Sequence, residues 1–366
     1  MRTRSEQLGQ AVQVTEQLRP QAVLAEPARA AIFLTLTVRS HAEQDVLDLL
    51  ADLAGLTRSV GFRYPDAKLS CVVGIGARLW DRMYAAPRPA GLHPLAPLTG
   101  SKHTAVSTPG DLLFHLRSRR LDLCFELARQ IMIRLDGRAD AVDEVHGFRY
   151  FDERDMLGFV DGTENPDGAD AVQAVQIGAE DPAYCGASYV LVQKYLHDLD
   201  AWRAISVEEQ ELVIGRRKLS DIELPDEEKP TNSHVALNTI EDADGTERQI
   251  VRDNLAFGEV GSAEFGTYYI GYAADSGLLE EMLQNMFLGK PEGNYDRILD
   301  FSQAVTGALF FVPTQDFLDD PGTAVAVDAD SAASDINDPT NSDTTNSGAL
   351  RPSSSDGSLT IGSLKS

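Results

Sequence analysis

The sequence predicts an α+β fold with antiparallel sheets, on the strength of three observations. Apolar runs of strand length alternate with segments in which apolar residues recur at helical spacing. The order strand, helix, strand, strand, helix, strand occurs in the first half of the chain and returns in the second. The 366 residues are 43% hydrophobic, which is enough for one large or two medium cores.

In the first half, the run AIFLTLTV predicts a buried strand, and Leu123, Leu127 and Ile131 form the apolar stripe of a helix. A Pro- and Gly-rich loop at 87–109 separates the second and third strands. The elements predicted there are a strand at 31–38, a helix at 41–56, strands at 70–75 and 111–117, a helix at 121–135 and a strand at 142–151.

In the second half, Ser206 and Glu209 form the pattern of a capping box at the start of a helix. Arg252 follows two branched apolar residues in a further strand. The other elements predicted there are a strand at 187–196, a helix at 206–214, a strand at 266–273, a helix at 276–287 and a strand at 307–313. Each half therefore resembles β-α-β-β-α-β, the order of a ferredoxin-like unit.

Composition predicts where the folded part ends. Between Asp316 and Ser366 there are nine Asp, no Glu, one Arg and one Lys, with few large apolar residues, as in disordered segments. A long polar insertion at 215–258 interrupts the second unit. The predicted domains are an N-terminal arm at 1–28, ferredoxin-like units at 29–150 and 151–316, a disordered linker at 317–355 and a terminal peptide at 356–366.

The net charge of −25 disfavours nucleic acid and anionic membranes as partners. Cys71, Cys124 and Cys185 are too few and too scattered for a disulfide framework, which favours a reducing compartment. No apolar run has transmembrane length, and the N-terminus has no secretory or twin-Arg signal. The sequence therefore predicts a cytoplasmic protein.

The loop at 158–168, GFVDGTENPDG, differs in composition from its surroundings. Its glycines at 158, 162 and 168 allow positive φ and a close approach of the backbone to a ligand. Asp161 is a candidate for a carboxylate directed at that ligand. The alternative is an ordinary surface turn, since Asp, Asn and Gly are the usual turn residues.

Two further motifs follow within the insertion, SHVAL at 233–237 and VRDNLAFG at 251–258. Taken singly, His234 is a structural or surface histidine and Arg252 an ion-pair partner. The chain has no Walker loop, no dinucleotide-binding glycine motif, no H-E-x-x-H zinc motif and no C-x-x-C-H site for covalent haem.

Together with GFVDGTENP at 158–166, these motifs closely resemble the dye-decolorizing peroxidase family, in its bacterial B-type branch. The resemblance covers about residues 30–315. It implies two ferredoxin-like units, a haem pocket in the C-terminal half, and one non-covalent haem b per chain in a homo-oligomer. The implied reaction uses hydrogen peroxide to oxidise dyes, phenols or other small one-electron donors.

The resemblance also implies a role for each matching residue. His234 matches the proximal haem ligand, and Asp296 the carboxylate that accepts its second ring nitrogen; Asp296 also reads as the first residue of a helix. Asp161, Arg252 and Asn254 match the distal residues. Gly162 and Arg217 are the remaining predicted haem contacts. Either Arg216 or Arg217 would face the propionates, the alternative being a solvated pair of charges, and Glu164 would line the access channel or cap the turn.

The residue types suit peroxide cleavage. A base must move a proton from the hydrogen peroxide oxygen that is nearer to the iron to the other oxygen. Asp161 can do so as a weak base. Arg252 stays cationic and can stabilise negative charge as the O–O bond breaks, so we expect it to be indispensable and Asp161 contributory. Bulky donors would act at the haem edge or through surface aromatics, with Trp80, Trp202 and Tyr195 as candidates, although core or surface packing is the favoured role for each of the three.

The last residues, DGSLTIGSLKS at 356–366, resemble the targeting peptide of encapsulin cargo proteins. The resemblance implies that Leu359, Ile361 and Leu364 fill pockets on the inner wall of the shell, as alternate side chains of an extended peptide do. About 35 residues of polar tether would span roughly 30–35 Å. The alternative is a tail without a partner.

Three other functions are consistent with the sequence. The chain could handle or carry haem without turnover, hold an unrelated polar site without haem, or act mainly as cargo. An absorption spectrum before and after one equivalent of peroxide distinguishes the first two from a peroxidase.

Overall fold

A computed structural model describes residues 18–162 and 164–320. Its strands are β1 (Ala30–Val38), β2 (Ser70–Ile75), β3 (Leu98–Thr99), β4 (Thr104–Ala105), β5 (Leu112–Ser118), β6 (Ala139–Phe148), β7 (Ser188–His197), β8 (Ile240–Glu241), β9 (Glu247–Arg248), β10 (Val251–Arg252), β11 (Leu255–Glu259), β12 (Glu264–Ala273), β13 (Ser302–Ala304) and β14 (Ala308–Val312). Its helices are α1 (Glu43–Gly61), α2 (Ala77–Met83), α3 (Leu121–Arg134), α4 (Gly168–Val175), α5 (Leu199–Ala204), α6 (Val207–Ile214), α7 (His234–Asn238), α8 (Ser276–Phe287) and α9 (Gln315–Asp319).

The main sheet of the described residues has ten antiparallel strands and consists of two halves with one topology, which are called the first and the second sheet below. The first has the strand order β6-β1-β5-β2, and the second has β14-β7-β12 followed by β11 and β10. In each sheet the first and third strands of the unit lie in the middle, as in a ferredoxin-like unit. The sheets also meet at both edges, through the Ile75–Phe311 and Phe148–Ala256 pairs. The predicted α+β fold class is confirmed.

The side chains of the sheets divide between two apolar layers because neighbours along a strand point to opposite faces. Phe33 points to the interior between the sheets, where its ring stacks on Tyr268 with centroids 4.1 Å apart. Its neighbours Ile32 and Leu34 belong to the outer layer, which helices α1, α3 and α8 cover. The interior between the sheets is therefore a packed core.

The structure differs from the predicted domain boundaries at both ends. The arm is packed where it is described, since the Gln21 side chain donates to the carbonyls of Val73 and Pro313. Helix α9 extends beyond residue 316, with Phe317 stacked on Trp80. Residues 1–17, most of the predicted linker and the whole terminal peptide lie outside the described residues.

The predicted polar insertion at 215–258 contains regular structure. It holds helix α7 and strands β8 to β11, and β10 and β11 supply the edge of the second sheet. These strands have two to five residues each, too short for a periodic pattern, and only β10 was predicted, from the two branched apolar residues before Arg252. Among the described residues, no helix is long and apolar enough to cross a membrane.

Candidate active site

A cavity with about 1150 Å³ of empty space, its open mouth included, lies beside the second sheet. Asp161, Gly162, His234, Arg252 and Asn254, all predicted from the sequence, line it together. The rest of its wall is largely apolar, from Leu157, Phe159, Val160, Ile214, Val235, Ile250, Met282, Leu283, Met286 and Ile298. A mostly apolar cavity with a few polar groups is typical of a cofactor site.

His234 is the first residue of α7, where the Ser233 hydroxyl accepts the Ala236 N–H at 3.4 Å. Its Nδ1 lies 2.7 Å from Oδ2 of Asp296, a carboxylate with no exposed surface. A carboxylate accepts from a ring nitrogen that carries the proton, so Nδ1–H is the donor. This leaves Nε2 as the nitrogen that can bind a ligand in the cavity.

Asp296 serves both predicted purposes at once. While Oδ2 faces His234, Oδ1 accepts the Ile298 N–H at 3.0 Å and caps the short 3₁₀ helix at 297–300. Asn238 lies one turn after His234 and donates to its carbonyl at 2.8 Å. Asn285 of α8 donates to the Leu237 carbonyl at 3.1 Å and so ties α7 to the body of the protein. The position of the imidazole is therefore fixed from several sides.

The loop at 158–168 adopts the backbone its glycines predict. Gly158, Gly162 and Gly168 have φ of 90°, 85° and 53°, so the predicted positive φ is confirmed at all three. The Arg154 guanidinium donates to the carbonyls of Gly158 at 2.8 Å and Lys218 at 2.6 Å. Polar contacts to the main chain, together with apolar packing of Phe159, hold the start of the loop.

Asn254 orients the carboxylate of Asp161. Its amide nitrogen donates to Asp161 Oδ1 at 3.3 Å, while its amide oxygen accepts the Ile270 N–H at 3.0 Å. The Ile270 bond fixes which end of the amide faces the carboxylate. In the described part of the chain, no ion pair within 4.0 Å joins Asp161 to Arg252, so the carboxylate is held by the amide of Asn254.

Arg252 is held by its main chain, which leaves its side chain free to act. Its N–H donates to Asn165 Oδ1 at 2.9 Å, and its carbonyl accepts from Asn165 Nδ2 at 2.6 Å. Its Nε is buried and has no hydrogen-bond partner among the described residues. An unsatisfied buried donor costs about 1–3 kcal/mol. The cavity therefore presents a cationic donor that a bound group can satisfy.

The structure does not place Arg217 on the cavity wall, contrary to the prediction that it contacts haem. Its guanidinium lies outside the cavity and contacts Glu211 and Glu228. Arg216 lines the cavity instead, where it contacts Glu164 at 2.5 Å. Consecutive side chains of an extended segment point to opposite sides, so only one of the two arginines can face inward.

The three aromatic residues considered for electron relay are buried, as their alternative role in core packing requires. Trp80 and Trp202 are 0% and 3% exposed, and Tyr195 is 8% exposed. Only Tyr195 lines the cavity, and its hydroxyl donates to Gln193 at 2.7 Å. Trp202 packs behind the wall and donates to the Leu157 carbonyl at 2.9 Å.

Two family descriptions match nearly the whole of this architecture. Residues 20–149 match "Dyp-type peroxidase, N-terminal", and residues 152–317 match "Dyp-type peroxidase, C-terminal". The chain belongs to the Dyp-type peroxidase family. It is 59% identical to a dye-decolorizing peroxidase of Brevibacterium linens over 361 residues, 94% of this chain and 96% of that one.

Solved structures agree with this assignment. The encapsulated DyP-type peroxidase of Mycobacterium smegmatis, solved by cryo-EM, is 58% identical and has a TM-score of 0.82 over 83% of this chain and 99% of that one. An arginine-to-leucine variant of Rhodococcus jostii RHA1 DypB in complex with heme is 57% identical, with a TM-score of 0.80 over 82% and 97% of the two chains. The predicted family and enzyme class are confirmed: the protein is a Dyp-type peroxidase.

Sequence reasoning did not identify three residues that shape the site of this Dyp-type peroxidase. Asn165 lies inside the GFVDGTENP motif, but its contact with Arg252 spans 87 positions. Asn238 is four residues after His234, a spacing that places both on one face of a helix. Arg154 precedes the motif and shows no distinguishing pattern.

Asp155, on the cavity wall, makes the free energy of unfolding of this peroxidase depend on pH. Burial raises the pKa of its carboxyl to about 7, opposed by the Phe159 N–H that donates to it at 2.9 Å, and the Asp161 charge raises the pKa further. In the unfolded chain the value is about 4. Between these values the folded state binds more protons, so the stabilisation present at low pH is lost as pH rises through 7.

We expect Asp155→Asn to flatten this dependence. Urea unfolding of the haem-free protein between pH 5 and 8 should show the wild type losing more free energy of unfolding than the variant, because asparagine keeps the acceptor for Phe159 but does not titrate. Parallel profiles for the two proteins would contradict the raised pKa.

Proposed function

We propose that this Dyp-type peroxidase binds one non-covalent haem b in the cavity and uses hydrogen peroxide to oxidise dyes, phenols and other small one-electron donors. The observation that carries the proposal is that His234, paired with the buried Asp296, lines one cavity with Arg252, whose Nε has no hydrogen-bond partner among the described residues. Haem is the predicted cofactor, and heme is the group named in the R. jostii structure.

The residues present fit haem. His234 Nε2 is free to bind iron, since Nδ1 is engaged by Asp296, and a carboxylate partner raises the basicity of the ligand. The apolar wall suits the flat face of a porphyrin, and Arg216 at the cavity wall suits a propionate. There is space for a side chain at position 162, since a Cβ there would meet only Asn165, at 3.6 Å. Glycine is therefore needed at this position for its positive φ and not because space is short.

Bound haem would supply an iron that binds peroxide and passes electrons to it from the donor. The chain's own distal residues do the rest. Asp161 takes a proton from one oxygen of the peroxide and delivers it to the other, which is the oxygen that leaves. Asn254 orients the Asp161 carboxylate for this transfer. Arg252 places a permanent cation where negative charge develops on the leaving oxygen.

An absorption spectrum of the purified protein tests this function against its alternatives. We expect a haem band that changes within the mixing time after one equivalent of peroxide and returns when a phenolic donor is added. A haem band that does not respond to peroxide would support a haem-handling protein. Purified protein without a haem band after haem feeding would support an unrelated polar site.

We further propose that the protein is the cargo of an encapsulin shell in the cytoplasm, held through Leu359, Ile361 and Leu364. These residues lie outside the described part of the chain, so support comes from their pattern and from the M. smegmatis relative, which is described as encapsulated. If the enzyme is a homo-oligomer, several weak peptides bind one shell together and gain avidity.

Deleting residues 358–366 tests the cargo proposal. We expect the truncated enzyme to keep its peroxidase activity, because the deletion lies outside the residues that match the peroxidase family, and to lose co-purification with a co-expressed encapsulin shell. A matched control replaces Leu359, Ile361 and Leu364 with serine at full length. Co-purification that survives both changes would contradict the proposal.

A further inference from the structure

The stretch 251–254, which brings Arg252 and Asn254 to the cavity, is an irregular strand. In an antiparallel ladder every second pair of opposite residues normally exchanges both of its N–H···O bonds. Asp253 donates to the Ile270 carbonyl at 3.2 Å, but the Ile270 N–H donates to the Asn254 side chain at 3.0 Å. Strand β10 accordingly ends at Arg252 and β11 begins at Leu255. Main-chain pairing alone does not fix this stretch.

The Asp253 side chain makes a second contact that fixes the stretch, on the side of the strand opposite to the cavity. Arg252 and Asn254 line the cavity, and the Asp253 carboxylate between them contacts Arg117, whose Nη1 donates to Oδ2 at 2.8 Å. Arg117 is on β5 in the first sheet and is only 2% exposed. The same guanidinium donates to the main-chain carbonyls of Ala22 and Val23. The first sheet thus reaches the strand that carries the distal residues.

The charges around Asp253 leave Arg117 as its cation. The His115 ring nitrogen nearest to it is 3.8 Å away, beyond hydrogen-bond distance. Burial, and then the Arg117 charge, lowers the pKa of His115 well below its ordinary value, so the ring is neutral. His115 instead faces the Tyr272 hydroxyl at 2.9 Å. Removing Arg117 therefore leaves the Asp253 carboxylate without a cation in a nearly closed interior.

We propose that Arg117 and Asp253 are positioning residues for peroxide cleavage. Their ion pair holds stretch 251–254 so that Arg252 and Asn254 are presented to the cavity at the correct depth. The inference deepens the proposed function and rests on it, because it assigns the first sheet a part in the distal site. A displacement of about 1 Å in a reacting geometry can cost about 100-fold in rate.

The test compares Asp253→Asn and Arg117→Met with the control Arg82→Met. Arg82 is matched in its hydrogen bonds, since it also donates to one carboxylate, Glu43, and to two main-chain carbonyls, but its side chain is 32% exposed and lies outside the cavity. We expect both test variants to bind haem as the wild type does, because their changes leave His234 and Asp296 untouched. Their second-order rate constants with peroxide should fall about 10- to 100-fold, with the KM for the donor unchanged.

A second readout does not depend on the loaded enzyme. In the haem-free protein, hydrogen exchange of peptides covering 250–258 should be faster in Asp253→Asn and Arg117→Met, and unchanged in the control. Should Arg117→Met fail to fold, Asp253→Asn serves alone, because asparagine keeps an acceptor for Arg117.

A fall in melting temperature equal to that of the control, with wild-type exchange and peroxide rates, would overturn the proposal and leave the pair a structural role only. If the wild type itself does not react with peroxide, the proposed function fails. In that case the role in peroxide cleavage fails with it, and faster exchange at 250–258 would support only the statement that the ion pair holds stretch 251–254, while unchanged exchange would overturn that as well.

Discussion

Replacing His234 with alanine is expected to abolish stable haem binding. The imidazole is the only side chain on the described cavity wall that presents a free ring nitrogen backed by a buried carboxylate. Losing the partner of a metal-binding histidine typically costs 10- to 100-fold in affinity, so losing the ligand itself should cost more than about 100-fold. The measurement is haem content and the haem absorption band after haem feeding.

Two companion variants sharpen this result. Asp296→Asn should keep haem but bind it about 10- to 100-fold more weakly, because an asparagine oxygen still accepts from Nδ1–H without its charge. His146→Ala removes a histidine that is exposed and paired with Glu144, remote from the cavity, and should bind haem normally. A full haem band with unchanged position in His234→Ala would show that another residue is the ligand.

The sequence predicts most of the fold because the long elements repeat their period over many residues. Helix α3 and strand β1 were placed within one or two residues by apolar spacing alone. Strand β11 was not found this way, and β10 was predicted only from the branched apolar residues before Arg252, since both strands are short and their ladder with β12 is interrupted at Asp253. Their place is set by contacts with β12, which are remote in sequence.

The site residues also fall into two groups, those that the sequence predicts and those that depend on contacts remote in sequence. His234, Asp161 and Arg252 stand out because each lies in a motif of distinctive composition. The residues that position them do so through contacts across the chain, such as Asn165 with the main chain of Arg252. Which of two adjacent arginines faces inward depends on the backbone at Gly215, where φ is 96°. Composition carries no information on that direction.

Replacing Arg252 with leucine is expected to stop peroxide cleavage while leaving haem in place. The bonds to Asn165 and the pairing with Gly271 use main-chain atoms, so the substitution leaves the strand where it is. Removing one donor that stabilises developing negative charge costs about 100- to 1000-fold in rate. Stopped-flow absorption after mixing with peroxide measures the loss, with Asp161→Asn expected to lose less.

The stability of the haem-free protein gives this prediction an independent check. The Arg252 Nε is buried without a partner among the described residues, so it costs free energy that leucine does not. We therefore expect the Arg252→Leu apoprotein to unfold at the same or a higher urea concentration than the wild type. A residue that is retained for catalysis at the expense of stability is expected to give such a variant, with lower activity but equal or higher stability. A destabilised variant with normal peroxide reactivity would instead make Arg252 a structural residue, and the charge for O–O cleavage would have to come from elsewhere.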